Sequence, residues 1–164
     1  MSERNFGKKS KIMKHIIFLL LLISFSASAQ YKYAFGARFD GSPGITFKIN
    51  NGKKASLEAL LNSFGNGAKA TLLAEWHQKA FSTGQWRWYY GVGGHAGTAN
   101  RYRNRYYYDN YVQVGADGIL GLEHTFSEIP LNLSVDWKPE LNLINDAGLY
   151  VTNLGFSARF AMKK

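Results

Sequence analysis

The stretch LNLSVDWKPELNL, residues 131–143, changes polarity at every position. Its odd-numbered positions are apolar or proline, and its even-numbered positions are polar or charged. Successive side chains of a β-strand point to opposite faces, so this period of two predicts a strand with one apolar and one polar face. Two arrangements are open. In a soluble protein the apolar face packs on a core, whereas in an outer-membrane barrel it contacts lipid and the polar face lines the lumen.

The same alternation continues through residues 30–164 and is interrupted only by turn residues. Glycine and asparagine tolerate positive φ and proline fixes its own φ, so clusters of these residues separate the strands. The eight predicted strands lie at about 31–40, 44–50, 54–64, 68–80, 85–97, 110–126, 130–143 and 148–161. Eight strands joined in order predict an all-β fold, an eight-stranded antiparallel up-and-down transmembrane β-barrel.

Residues 1–29 have the features of a signal peptide. Four lysines precede an apolar run at residues 16–25, and an A-x-A cleavage motif follows directly before Gln30. We therefore expect export with cleavage before Gln30, which leaves one barrel domain over residues 30–164. The apolar run is shorter than the roughly 20 residues of a helical membrane span, so any crossing of a membrane would use strands.

The overall composition adds little to the prediction of fold and location. The chain has 164 residues, no cysteine and a formal net charge of +9. An exported chain without cysteine cannot use disulfides, and a closed backbone hydrogen-bond network inside lipid would replace them. Part of the positive charge belongs to the expected signal peptide, so the excess on the barrel itself is mild.

Aromatic residues of the apolar face are expected to gather at one rim. Such girdles form at membrane interfaces because the rings are apolar in body and, in Tyr and Trp, polar at one edge. A soluble core gives no reason to sort aromatic residues by height, so the pattern favours a membrane barrel. The predicted girdle consists of Tyr31, Tyr33, Trp76, Trp86, Trp88, Phe126, Phe156 and Phe160.

The polar face carries nearly balanced charges. Inside a narrow barrel these charges must pair, because an unpaired buried charge costs several kcal/mol. The predicted lumen charge network consists of Lys32, Arg38, Lys48, Glu58, Lys69, Glu75, Arg87, Asp117, Glu123, Asp136, Lys138, Glu140 and Arg159. Because eight strands leave room for little more than side chains, we expect a plugged lumen rather than an open pore. Inward-facing glycines at 91, 93, 115, 121 and 155 are expected to make room for long Arg and Lys side chains.

The chain resembles the small eight-stranded outer-membrane barrels of the OmpX and OmpA transmembrane-domain type. The resemblance covers nearly all of residues 30–164 and includes the last strand, LGFSARF at 154–160, which is similar to the terminal signal read by the barrel assembly machinery. It implies a monomeric, porin-like protein of the Gram-negative outer membrane, with outer-membrane lipid and lipopolysaccharide as its surroundings.

An enzyme is the first alternative, since some eight-stranded barrels modify lipid A by acyl transfer or deacylation with a histidine, a serine and an acid. His77 and His124 are expected at the periplasmic rim, away from the lipid A of the outer leaflet. Only His95 lies at a suitable height, with Asp117 opposite on the next strand. A lumen histidine held by a carboxylate is the commoner arrangement, so no catalytic residue is assigned. No metal or cofactor is expected, because no two histidines have ligand spacing.

Residues 98–110 predict a long extracellular loop rich in arginine and tyrosine. Its candidate surface-binding residues are Arg101, Tyr102, Arg103, Arg105, Tyr106 and Tyr108. These side chains suit lipopolysaccharide phosphates, surface glycans or a protein partner, through bidentate contacts and stacking. The surface location argues against nucleic acid as the partner. In a simpler interpretation, strands five and six extend past the membrane as a hairpin whose arginines neutralise lipid phosphates.

The sequence therefore predicts an integral outer-membrane β-barrel with a plugged, charge-paired lumen. Its predicted role is structural or lies in surface interaction through residues 98–110. A lipid A-modifying enzyme is the alternative function, and a secreted lipocalin-like carrier of an apolar ligand is the third.

Overall fold

The computed structural model describes residues 31–51, 55–64, 67–82, 84–104, 107–145 and 147–163, with the backbone alone at 99–110 and 163. The expected signal peptide, residues 1–29, lies outside the described residues. The segments are β1 (Tyr31–Phe39), β2 (Pro43–Asn50), β3 (Ala55–Phe64), β4 (Gly67–Lys79), β5 (Trp86–Asn104), β6 (Tyr107–Thr125), β7 (Leu131–Trp137), β8 (Glu140–Ile144), β9 (Gly148–Tyr150) and β10 (Leu154–Lys163). Within these described ranges, no helix is long and apolar enough to cross a bilayer.

The sheet closes on itself. Sequence neighbours from β1 to β6 pair antiparallel, and β1 also pairs with β10, which brings Phe39 opposite Phe156 and Phe35 opposite Phe160. Both β7 and β8 pair with β6, so they are two parts of the seventh barrel strand. In the same way β9 and β10 make the eighth, which pairs with the seventh. The predicted eight-stranded antiparallel up-and-down barrel is confirmed.

The seventh strand is interrupted at Lys138 and Pro139 because proline has no N–H to donate to a neighbouring strand. The carbonyl of Pro139 nevertheless accepts a hydrogen bond from the Gly118 N–H at 2.9 Å. The N–H of Lys138 donates to the carbonyl of Asn153, also at 2.9 Å. The barrel wall therefore stays hydrogen-bonded across the interruption.

Burial alternates along the strands, with polar side chains inside and apolar side chains outside. In β7, Asn132, Ser134 and Asp136 are buried, whereas Leu133 and Val135 are each 40% exposed. Among the described residues, buried polar and charged side chains far outnumber buried apolar ones. The polar face of the stretch at 131–143 therefore points into the barrel.

A β-bulge reverses the expected orientation at the start of β1. The pairing of β1 with β10 shifts register between Tyr31 and Tyr33. Tyr31 is consequently buried and donates a hydrogen bond from its hydroxyl to Glu123 Oε2 at 3.0 Å, whereas Lys32 is exposed. The predictions that Tyr31 belongs to the girdle and Lys32 to the lumen were wrong, because one extra residue in a strand exchanges its two faces.

The expected loop at residues 98–110 is mostly strand. β5 continues to Asn104 and β6 begins at Tyr107, so the two form a long hairpin. The last pairing of β5 with β4 is Gly67 with Ala99, and beyond it β5 pairs only with β6. Tyrosine-rich sequence favours strands, which explains why the extended hairpin of the simpler interpretation forms rather than an irregular loop. The side chains at 99–110 and residues 105–106 lie outside the described part.

Candidate functional site

The charged interior is the most distinctive chemical feature of the barrel, and its first part is built around Lys48. The Lys48 Nζ atom lies 2.7 Å from a carboxylate oxygen of Glu75, 3.1 Å from Glu58 and 3.7 Å from Glu123. Arg159 on β10 forms an ion pair with Glu58. All five side chains are 0% exposed. We call these five residues the Lys48 cluster.

Polar neighbours orient the guanidinium of Arg159. Its Nη1 donates to the Ser134 hydroxyl at 2.8 Å and to the Asn132 carbonyl oxygen at 3.2 Å, and its Nε donates to Thr46 at 3.1 Å. These partners come from β2 and β7, on opposite sides of β10 around the barrel. The guanidinium group of Arg159 therefore links β2 and β7, two strands that do not pair with each other.

The Lys48 cluster contains more carboxylates than cations. Glu58, Glu75 and Glu123 face the ammonium of Lys48 and the guanidinium of Arg159. The imidazole of His77 lies beside them, with its Nε2 atom 3.7 Å from Glu75 and 3.6 Å from Glu123, and it stacks on a tyrosine ring. The three carboxylates of the cluster therefore share two cations, Lys48 and Arg159.

A second interior ion pair joins Arg38 on β1 to Asp136 on β7. The contact is bidentate, with Nη1 to Oδ2 at 2.8 Å and Nη2 to Oδ1 at 2.6 Å. The hydroxyl of Tyr89 donates to the same carboxylate at 3.0 Å, and Asp40 accepts from Arg38 Nε at 3.2 Å. Bidentate charge-assisted bonds are among the strongest side-chain hydrogen bonds, so this pair fixes the distance across the barrel.

A third group lies toward the end of the barrel that carries the β5–β6 hairpin, and we call it the His95 cluster. Nδ1 of His95 lies 3.0 and 3.1 Å from the two carboxylate oxygens of Asp117, as the sequence predicted. Its Nε2 lies 2.8 Å from the amide oxygen of Asn142. Both ring nitrogens are therefore engaged, and His95 is buried. A general base for acyl transfer needs one nitrogen directed at a nucleophile, and here that position is taken by an amide.

The His95 cluster also has the spacing of a metal site. Ligand atoms of His95, Asp117 and Glu140 lie within 4.8 Å of one another. However, Lys69 Nζ lies 2.7 Å from both oxygens of Glu140, and Lys138 forms an ion pair with Glu140 and lies 3.8 Å from Asp117. Two ammonium groups already balance the two carboxylates, so a divalent metal would have to displace them. These residues come from separate strands, so no spacing in the sequence indicates the cluster.

A small apolar group fills the interior between the charged clusters. Leu60, Leu73, Tyr89 and Ile119 are buried together, although the alternation puts them on the otherwise polar face. Leu73 precedes Glu75 by two positions on β4, and therefore shares its inward face. Apolar side chains at this level exclude water from the neighbouring ion pairs.

Inward-facing glycines leave the space that the interior side chains occupy. A Cβ on Gly155 would lie 2.2 Å from an Arg38 nitrogen, and a Cβ on Gly115 would lie 2.5 Å from the His95 ring. A Cβ on Gly121 would meet Tyr89 at 2.5 Å. The prediction that these glycines make room for Arg and Lys thus holds for Arg38, while the other two accommodate rings.

Gly121→Ala is expected to destabilise the barrel by about 1–3 kcal/mol, because the methyl group would displace Tyr89 and break its hydrogen bond to Asp136. Urea unfolding of the refolded protein, followed by tryptophan fluorescence, measures the change. Gly118→Ala on the same strand is the matched control, since a Cβ there meets only Pro139, at 3.4 Å. Equal effects of the two substitutions would contradict the packing argument.

Besides Lys32, a second predicted member of the charge network, Arg87, lies apart from it. Arg87 is half-buried, with its Cα atom opposite Lys79 on one side and Glu123 on the other. The carboxylate of Glu123 is directed instead to Tyr31 and lies near Lys48. Within the described part of the chain Arg87 forms no ion pair, because the interior carboxylates are already engaged.

Aromatic rings form a patch of two contacting groups at one rim of β4–β6. Its members are Trp76, Phe81, Trp86, Trp88, Tyr90, His124 and Phe126, which we call the rim patch. Tyr90 stacks on Trp76 at 5.8 Å and on Trp88 at 5.4 Å, measured between ring centroids. The ring of His124 lies 4.5 Å from both Trp86 and Phe126. Four residues of the predicted girdle therefore lie at this rim: Trp76 on β4, Trp86 and Trp88 on β5, and Phe126 directly after β6.

The other predicted girdle residues lie away from the rim patch. Tyr33 is on β1, where its ring stacks on Phe47 at 6.4 Å. Phe160 and Phe156 are both exposed on β10. Phe156 is paired with Phe39, at the end of β1 opposite to Tyr33. The prediction that Phe156 belongs to the girdle at the rim of Tyr33 was therefore wrong, because the register of β10 against β1 places it toward the other end.

Comparison with protein-family models, with curated proteins and with solved structures finds no match to this chain.

Proposed function

We propose that the protein is an integral outer-membrane β-barrel of the small OmpX and OmpA type, exported through the signal peptide at residues 1–29. Its lumen is closed by its own side chains, and it acts in the structure of the membrane and at the cell surface. Outer-membrane lipid and lipopolysaccharide are its surroundings, and the barrel assembly machinery inserts it by reading the last strand, β10.

The inverted distribution of polarity is the observation that carries this proposal. Lys138 and Glu75 are 0% exposed, while Leu72 on the outer face is 69% exposed. In water each exposed apolar side chain would forgo about 25 cal/mol per Å² of apolar area. In hydrocarbon the same outer face is favourable and the charges are shielded inside, as in known membrane barrels.

A carrier of apolar ligands is less well supported by the same interior. Such a barrel needs an apolar cavity, whereas the interior of this barrel is lined by the Lys48 cluster, the Arg38–Asp136 pair and the His95 cluster. Leu60, Leu73 and Ile119 are buried in the same interior. The same filling supports a plugged lumen rather than a channel.

A surface role is supported by the β5–β6 hairpin. Beyond Ala99 the hairpin is a two-stranded ribbon that extends past β4, at the end opposite the rim patch. Its sequence carries Arg101, Arg103 and Arg105. Guanidinium groups at this position suit the phosphates of lipopolysaccharide.

Heat modifiability on an electrophoresis gel tests the membrane assignment. The closed barrel is expected to resist dodecyl sulfate at room temperature and to migrate differently after boiling, because its backbone hydrogen bonds are satisfied around the closed sheet. Cell fractionation is expected to recover the protein with the outer membrane. Recovery in the soluble periplasmic fraction, with no shift on boiling, would contradict the proposal and favour a secreted carrier.

A lipid A-modifying enzyme is the second candidate, favoured by the contact between His95 and Asp117 at 3.0 Å. Mass spectrometry of lipid A from cells with and without the protein tests this activity. A change in acylation that is lost in His95→Ala would establish the enzyme. Identical lipid A in both strains would exclude an acyltransferase or deacylase.

A further inference from the structure

Four buried side chains interrupt the polar inner face of the barrel. Apart from glycine, the buried residues on the inner faces of β3, β4 and β6 are polar except for Leu60, Leu73 and Ile119. These three are buried together with Tyr89 of β5, and the exposed fractions of the four residues lie between 0% and 4%. We call these four residues the septum. Four adjacent strands therefore each contribute one apolar side chain to a single group inside the lumen.

The Arg38–Asp136 pair extends the septum to the other side of the lumen. The hydroxyl of Tyr89 donates to Asp136 Oδ2 at 3.0 Å, so the septum contacts this ion pair directly. Nη1 of Arg38 also donates to the hydroxyl of Ser157 on β10 at 3.2 Å. The side chains of Arg38 and Asp136 are both 0% exposed, so neither charge is open to solvent. A fixed guanidinium group beside the apolar residues also repels protons and other cations.

Polar atoms without hydrogen-bond partners lie on both sides of the septum along β4. From the hairpin end, the inner face of this strand carries Lys69, Thr71, Leu73, Glu75 and His77. Among the described residues, the buried hydroxyl of Thr71 and the Nε2 atom of His77 have no hydrogen-bond partner. Such an atom costs about 1–3 kcal/mol, and ordered water is the usual partner that satisfies it. We therefore expect water on both sides of Leu73.

We propose that the septum is the barrier of the lumen, which separates two hydrated polar compartments and interrupts the path of protons and small ions between them. The inference deepens the proposed function and rests on insertion of the barrel in a membrane. Apolar constrictions stop conduction because an ion that enters them loses its hydration and gains no polar partner. The side chains of the Lys48 cluster, in contrast, form hydrogen bonds with water. Closure of the lumen is therefore assigned to the apolar side chains rather than to the ion pairs.

Proton flux into lipid vesicles tests the septum. Each protein is refolded into vesicles that contain a pH-sensitive dye, the membrane potential is clamped with potassium and valinomycin, and internal acidification is recorded after the external pH is lowered. Vesicles with the parent protein are expected to acidify at the rate of vesicles made of lipid alone. Leu60→Ser combined with Leu73→Ser is expected to raise the rate about tenfold or more over the parent, which corresponds to a barrier lower by about 1.4 kcal/mol or more.

Leu57→Ser combined with Leu72→Ser is the matched control. Both leucines lie on the same two strands as the septum residues but face outward, with 62% and 69% of their surfaces exposed. This variant is expected to keep the parent's rate. Glu75→Gln removes a charge from the Lys48 cluster and leaves the septum unchanged, so it is expected to keep the parent's rate as well. A tenfold increase in the first control would indicate a general leak, and one in the second would assign closure to the charges; either would overturn the proposal.

Heat modifiability in the same vesicles shows whether each barrel has inserted, which separates this inference from the proposed function. Leu73→Asn is the second variant if the serine pair does not insert, because asparagine is close to leucine in shape and brings an amide into the septum; a smaller increase in rate is expected. Failure of the parent protein to insert would contradict the membrane location. Inserted septum variants with the parent's rate, or an inserted parent that conducts protons well above lipid alone, would overturn only the septum as the barrier.

Discussion

Leu72→Arg is expected to destabilise the barrel in bilayers by about 2–4 kcal/mol, because a guanidinium would enter hydrocarbon near the middle of the membrane. Leu72 lies in the central part of β4, opposite Ala59 on β3 and Gly94 on β5, and is 69% exposed. Reversible urea unfolding of protein folded in lipid vesicles, compared with the parent protein, measures the change. A soluble barrel would respond very differently, since substitutions at exposed positions usually change stability by less than about 0.5 kcal/mol.

Leu149→Arg is the matched control for depth. Leu149 is 66% exposed and lies on the short segment β9, near the end of the barrel that carries the β5–β6 hairpin. Arginine near the interface reaches the headgroups, so the expected cost falls to roughly 0–1 kcal/mol. Equal and small effects at both positions would contradict a membrane around the outer face.

Lys48→Met is expected to have the largest effect inside the barrel, about 3–5 kcal/mol of destabilisation, because removal of one partner leaves buried charges uncompensated. The ammonium of Lys48 contacts Glu58 and Glu75, and Arg159 alone would remain to balance the three carboxylates. Methionine preserves most of the apolar stem, so lost packing contributes little. The same urea unfolding experiment provides the measurement.

Two further variants distinguish charge from volume. Glu75→Gln added to Lys48→Met removes one unbalanced carboxylate and is expected to recover part of the lost stability. Lys69→Met removes a lysine whose side chain is 12% exposed, and its partner Glu140 keeps Lys138, so a smaller loss is expected. A loss below about 1 kcal/mol for Lys48→Met would mean that the cluster does not depend on charge balance.

The alternation of polarity could be predicted because a strand imposes it locally. Each strand orients its side chains without reference to its neighbours, so residues 131–143 alone assign Asp136 and Val135 to opposite faces. Turn residues mark the strand ends and so indicate how many strands there are. An even number of strands joined in sequence order is compatible with few sheet topologies. The contact of His95 with Asp117 also follows from the alternation along each strand, since both residues face inward on adjacent paired strands.

The departures from these predictions arise where pairing, not local pattern, decides the geometry. The bulge between Tyr31 and Tyr33 depends on the register of β1 against β10, the last strand in the sequence. Arg87 is polar and correctly spaced, yet Glu123 is engaged by residues from β1 and β2. Strands distant in sequence therefore determine which charges pair.

The sequence by itself determined that the chain alternates, that it forms eight strands and that one face is charged, because these properties depend on neighbouring residues along one strand. Only the tertiary structure decided which carboxylates meet Lys48 and Arg38. Closure of β1 on β10 sets those contacts, since ion pairs across a barrel join residues that only the complete ring of hydrogen bonds brings together.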